Sequence, residues 1–153
     1  MIEYLRRLFE HLAWANERVL EVVLATEDAE ALRLLSHLLA SEVVWYARIE
    51  TGQSRHLKIW PMLSPAQCAD LSRENVRAYR TMVDDLSPEE LEREVAYRNS
   101  KGTEYRTALT DVLLHVALHG TYHRGQIALR LRDAGHEPVN TDYITFVRAE
   151  LRP

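Results

Sequence analysis

The 153-residue sequence predicts an all-α protein, a four-helix bundle with a short β-hairpin-like insertion before the fourth long helix. Three observations predict this class. Apolar residues recur at three- and four-residue spacing along each long stretch, the signature of an amphipathic helix. Only five glycines and five prolines are present, so turns are scarce and helices long. The interruptions carry capping and turn residues, and no repeat, low-complexity segment or domain boundary divides residues 1–153, which read as a single domain.

Residues 2–25 form the first expected helix, with Leu5, Leu8, Phe9, Leu12, Val19, Leu20 and Val23 as its stripe. Asn16 falls inside that stripe. A buried amide must find partners, so Asn16 either braces two helices or belongs to a polar site. Thr26-Glu27-Asp28 breaks the pattern with capping character. The second helix spans about Ala29 to Glu50 and stops at Thr51-Gly52. A loop over residues 53–63 carries Trp60-Pro61. Ser64-Pro65 has the form of an N-cap followed by proline at the first helical position, which opens a third helix to about Leu86. Ser87-Pro88-Glu89-Glu90 starts a further short turn. Val95, Tyr97 and Tyr105 flank Asn99-Ser100-Lys101-Gly102 as two short strands around a turn. Thr107 or Thr110 is expected to cap the fourth long helix, which ends at Gly135. The tail adds a short amphipathic segment from Tyr143 to Leu151.

The composition narrows the function. A net charge of −4 disfavours nucleic-acid binding through a broad basic surface. No apolar run approaches the ~20 residues that span a bilayer, and charges at Glu3, Arg6 and Arg7 stand where a signal peptide needs an apolar stretch, so a cytoplasmic location is expected. Cys68 is the single cysteine; it can form no intramolecular disulfide and reads as inert.

The most informative run is His115-Val116-Ala117-Leu118-His119-Gly120-Thr121-Tyr122-His123-Arg124-Gly125-Gln126. At about 100° per residue from Val112, His119 falls near −20° and His123 near +20°, at the centre of the inward face. Gln126 borders that face near −40° and His115 near −60°, by the same rough count. Arg124 lies off the face and reads as a salt-bridge residue, and Gly125 as a place where helices pack closely. Two imidazoles four residues apart point to one spot, and in a bundle core they must be paired or bind a metal. Gly120 stands where a metalloprotease motif has Glu, and no Glu-x-x-His pair is present, so a mononuclear site is the better inference. His115 and His123 are about 12 Å apart along the axis, too far to share one metal with bonds near 2 Å. The third ligand must come from elsewhere. His11, His37, His56 and His136 are the candidates, and spacing alone places His37 at the edge of its helix's stripe with Ser41 and Arg48.

These residues also carry a resemblance. Leu12-Ala13-Trp14-Ala15-Asn16, His37 followed by Trp45 and Arg48, the 115–126 run, and Pro138 through Thr141-Asp142-Tyr143-Ile144 resemble the DinB family (DinB/YfiT-like metalloenzymes) over essentially the whole chain. The resemblance implies a four-helix bundle whose metal is held by one histidine of the second helix and two of the fourth: His37, His119 and His123. His115, Asn16, Tyr122 and Gln126 are then pocket or ligand-supporting residues. Trp14 and Trp45 read as core or interface residues. One divalent transition metal per chain is implied, zinc or nickel first, with iron, cobalt or manganese as alternatives. Three imidazoles leave a position open, as in catalytic rather than closed sites. Two enzyme classes follow, a metal-dependent hydrolase or a transferase to a low-molecular-weight thiol, with a small-molecule substrate. The alternative is a stress-associated protein with a structural metal, acting as a binding or dimerisation module. The resemblance also implies a homodimer.

Overall fold

The structure is a computed structural model that describes residues 1–150. Its elements are α1 (Ile2–Thr26), α2 (Ala29–Thr51), α3 (Pro65–Asp84), the short α4 (Pro88–Leu91), β1 (Glu94–Arg98), β2 (Glu104–Ala108), α5 (Leu109–Asp133) and α6 (Tyr143–Glu150). The four long helices form the expected bundle. Leu151, the last residue of the expected tail segment, lies outside the described residues.

Local chemistry sets the boundaries. Asp28 caps α2 by accepting from the Ala31 N–H, and the chain leaves α2 through Gly52 at φ 70°. A Cβ at Gly52 would also lie 2.7 Å from the Ala96 carbonyl oxygen, so only glycine lets the hairpin approach this helix end. Ser64 and Gln67 form a capping box at α3, and Ser87 with Glu90 repeats it at α4. The cap expected from Thr107 or Thr110 is not used. Ala108 is the N-cap of α5, Thr107 pairs with Val95 inside the hairpin, and the Thr110 hydroxyl donates to the Leu91 carbonyl instead. The strand directly abuts α5, so α4 and the strand backbone replace a side-chain cap.

Two apolar clusters run along the bundle. One gathers Leu5, Phe9 and Leu12 with Ile49, Tyr79, Val83 and Leu109 to Val116. The other gathers Val19 and Val23 with Leu35, Leu38, Leu39, Cys68, Ile127 and Leu131. Following each helix between them gives the topology. α1 and α5 run from the first cluster to the second, and α2 and α3 run from the second to the first. α2 packs on α5 and α3, and α1 packs on α3 and α5. Because α2 and α3 are parallel, the connection over residues 53–63 must return the full length of the bundle. The loop over residues 53–63 is therefore a long crossover, and it passes the histidines.

A polar layer separates the clusters. Asn16, Glu42, Asn75 and Arg124 come one from each long helix and are all buried. Asn16 donates to Glu42 Oε1 (2.8 Å), Asn75 donates to Glu42 Oε2 (2.8 Å) and to the Leu39 carbonyl, and Arg124 donates to Asn16 Oδ1 (3.0 Å). Arg124 is thus a core residue and not the expected salt-bridge residue. It faces α1, the second neighbour of α5, which lies about 100° around the helix from the face turned to α2.

The glycines of α5 also differ from expectation. Gly125 is exposed, and an added Cβ there meets nothing within 4 Å. Gly120 is the position of close packing, where a Cβ would lie 2.9 Å from Arg124 Nη1. We expect Gly125→Ala to raise stability by up to ~1 kcal/mol through helix propensity. Gly120→Ala must displace a guanidinium held by Asn16, so its stability should fall instead. Urea denaturation of the two variants checks this, and equal shifts would contradict it.

Cys68 is fully buried, and burial pushes its thiol up from the ordinary value, as an inert cysteine requires. No helix among the described residues is long and apolar enough to cross a membrane.

Candidate metal centre

α2 and α5 lie antiparallel, and their facing residues pair in steps of four. His37 meets His123, Ser41 meets His119, and Trp45 meets His115. His37, Ser41 and His123 are buried and His119 half-buried, while His115 is exposed. The edge of the α2 stripe thus turns toward α5, which spacing on α2 alone did not reveal.

Three ring nitrogens converge. His37 Nε2 lies 3.2 Å from His123 Nε2, which lies 3.1 Å from His119 Nε2. The possible ligand atoms of the three residues all fall within 4.8 Å of one another. Two zinc–nitrogen bonds of about 2.0–2.1 Å at a tetrahedral angle hold their nitrogens ~3.3 Å apart, so little movement separates this arrangement from a coordination shell.

The opposite ring nitrogens fix the protonation. His37 Nδ1 lies 2.7 Å from the Ile59 carbonyl, which can only accept, so Nδ1 carries the proton. His123 Nδ1 lies 2.7 Å from Gln126 Oε1. His119 Nδ1 lies 3.3 Å from Ser41 Oγ, whose own hydrogen goes to the Leu38 carbonyl. All three rings therefore turn unprotonated Nε2 lone pairs toward one point. Lone pairs facing at such distances repel unless a cation sits among them. The donor set fits a divalent transition metal, with each imidazole oriented by a partner on its far side.

Burial lowers the pKa of all three histidines, and neighbouring imidazoles lower His119 further, to about 4. Imidazoles kept neutral in this way remain ligands as pH drops past 6.5, the ordinary histidine value. Metal affinity should therefore stay level as pH passes downward through 6.5 and be lost at lower pH, where protons reach the rings. A binding titration at several pH values checks this; loss that tracks an ordinary histidine would contradict it.

The other expected residues have distinct places. Gln126 holds His123. Tyr122 is exposed, with its ring 5.1 Å from that of His123. His115 stacks edge-on against Trp45 at 4.7 Å and sits 5.4 Å from His119 by ring centroids. Asn16 lies in the interior network behind the cluster. Trp14 packs against His11 and Phe146, and the His11 ring meets the Thr141 carbonyl at 2.8 Å. His56 is exposed and His136 half-buried; neither joins the histidine cluster.

Two contributors escaped the sequence reading. Trp60, from the crossover, stacks flat on His37 with centroids 3.6 Å apart and planes 7° apart, and Arg33 covers its other face at 4.6 Å. Glu42 anchors the polar layer. Its signal was available: it continues the Leu35–Leu38–Leu39 stripe, a position where a charge needs a reason.

The DinB family model matches residues 1–152. The chain belongs to the DinB family. It is also similar to "Protein DinB" of Bacillus subtilis (strain 168), with 24% identity over 163 residues that cover 94% of this chain and 93% of that protein. Family membership and the histidine cluster together fit a metal-binding protein.

Gln126 offers a direct check on the site. Gln126→Ala frees the His123 ring and removes its tautomer lock, and such losses typically weaken metal binding by about 10–100-fold. Competition against a chromophoric chelator reads this; unchanged affinity would show that Gln126 does not orient a ligand.

Proposed function

We propose that this DinB-family protein is a mononuclear metal-dependent enzyme whose ligands are His37, His119 and His123. One observation carries the reading: the Nε2 atoms of the three histidines converge while each Nδ1 is engaged by an oxygen on the far side of its ring. Zinc or nickel suits an all-imidazole set best, and iron, cobalt or manganese are compatible. A metal held by three imidazoles has a free position, where it can activate water or hold a thiolate. The half-buried His119 and exposed Tyr122 leave one side of the cluster open to solvent, so a small molecule can reach it.

The protein's own residues do the positioning. Ile59, Gln126 and Ser41 hold the ring orientations, and Trp60 seals the outer face of His37. The His119 and His123 rings are mounted on one turn of a single helix, which keeps their spacing rigid. Hydrolysis and transfer to a low-molecular-weight thiol are the two reactions this arrangement supports.

Turnover of metal-loaded protein tests the reading. Zinc- and nickel-loaded samples would be assayed against activated esters, and against small thiols with an electrophile while thiol loss is followed. Metal-dependent turnover of either kind supports an enzyme. If metal removal only lowers the melting temperature and neither substrate class is consumed, the metal is structural.

A further inference from the structure

Arg48 is the seam residue that the metal reading does not use. It is 7% exposed, yet among the described residues it has no carboxylate partner. Its Nε donates to Ser54 Oγ at 3.0 Å. Its Nη nitrogens make no hydrogen bond to a described residue, and neither is sealed from solvent. Two aromatic faces hold the guanidinium, Trp45 at 4.6 Å and Tyr97 at 5.4 Å from Cζ to ring centroid. A cation taken this far out of water without an anion is costly, and two adjoining aromatic rings, whose centroids are 5.2 Å apart, and a hydroxyl anchor keep it there.

Its place matters as much as its isolation. Trp45 touches both Arg48 and His115, and His115 touches His119, so Arg48 continues the line of side chains leading from the histidine cluster. Arg48 lies eleven residues beyond His37, about 16 Å along the helix axis. Helical side chains lean toward the N-terminus, which for Arg48 is back toward the histidines. The separation matches a small molecule with two functional ends.

We propose that Arg48 binds a carboxylate of a small-molecule ligand whose other end reaches the histidine cluster. The proposal deepens the metal-enzyme reading and rests on it for the far end of the ligand. Among the described residues no lysine or second arginine acts on this guanidinium, and one such group matches a single negative charge better than a phosphate dianion. Its planar fork, with Nε occupied, still offers two donors to one carboxylate.

Two measurements test this. First, cobalt-loaded protein would be titrated with 6-mercaptohexanoate and with 6-mercaptohexanol, following the thiolate-to-cobalt absorbance. These differ only in the carboxylate, and the acid should bind at least about tenfold tighter, the value of one charge-assisted hydrogen bond. Arg48→Gln should abolish the preference, and Arg48→Lys should retain part of it. Equal affinities in the wild type, or a preference that survives Arg48→Gln, would overturn the proposal. Second, metal-free protein would be titrated with hexanoate while the Arg48 Nε–H resonance is followed by NMR. A saturable shift supports the site and an unmoved resonance overturns it. If cobalt does not bind at all, the metal reading fails while this second arm still decides the role of Arg48.

Discussion

His123→Ala should empty the centre. His123 Nε2 is the nitrogen in contact with both other ligands, so removing it leaves His37 and His119 on opposite helices without their bridge. Loss of a mere supporting residue costs about 10–100-fold in metal affinity, and loss of this ligand should exceed about a hundredfold. Dialysed His123→Ala should carry almost no metal by elemental analysis. His115→Ala should carry as much as wild type, because helix rise keeps His115 too far from His123 to share the ion. Full loading of the first variant, or loss in the second, would reassign the ligands.

Glu42→Gln should be the most destabilising conservative change in the core. Both Glu42 oxygens accept hydrogen bonds, and the donors cannot turn around. Arg124 holds Asn16 with its oxygen outward, and the Leu39 carbonyl holds the Asn75 amide. A glutamine at position 42 must point an N–H₂ at one of these N–H₂ groups. Leaving buried donors of this kind unsatisfied costs about 1–3 kcal/mol. At roughly 2–4 °C per kcal/mol for a chain of this size, the melting temperature should fall by about 2–12 °C.

The pH dependence has a defined sign. Burial raises the Glu42 pKa to about 7 against the hydrogen bonds that lower it. Between the ordinary carboxylate value and about 7 the folded protein holds a proton that the unfolded chain does not. The Glu42 contribution to stability therefore falls as pH rises through that window. The metal-free histidines act in the opposite direction over an overlapping range, because their pKa values are lowered on folding. The difference between wild type and Glu42→Gln isolates the Glu42 contribution. That gap should be wider at pH 5 than at pH 8, and a gap that widens with rising pH would contradict the assignment.

Much of this was legible in the residues. Spacing alone placed His119 and His123 together, because the i, i+4 relation depends only on helix geometry. The hairpin and the two serine-proline helix starts were legible for the same reason, being local. His37 was not legible from spacing. Its position at the stripe edge becomes central only when α5 packs against that edge, which is a tertiary fact. The long crossover, and with it Trp60 on His37, depends on α2 and α3 running parallel, which no local pattern encodes. Arg124 was misread because one inward direction was assumed for a helix that packs on two neighbours. Gly125 was misread for the complementary reason: it faces neither.

X-ray absorption at the metal edge of zinc-loaded protein, before and after adding a low-molecular-weight thiol, tests the central claim most directly. Three imidazole nitrogens at about 2.0 Å and one exchangeable light atom are expected, with one sulfur at about 2.3 Å appearing after thiol is added. A shell without three imidazoles, or one that thiol leaves unchanged because no position is open, would contradict it.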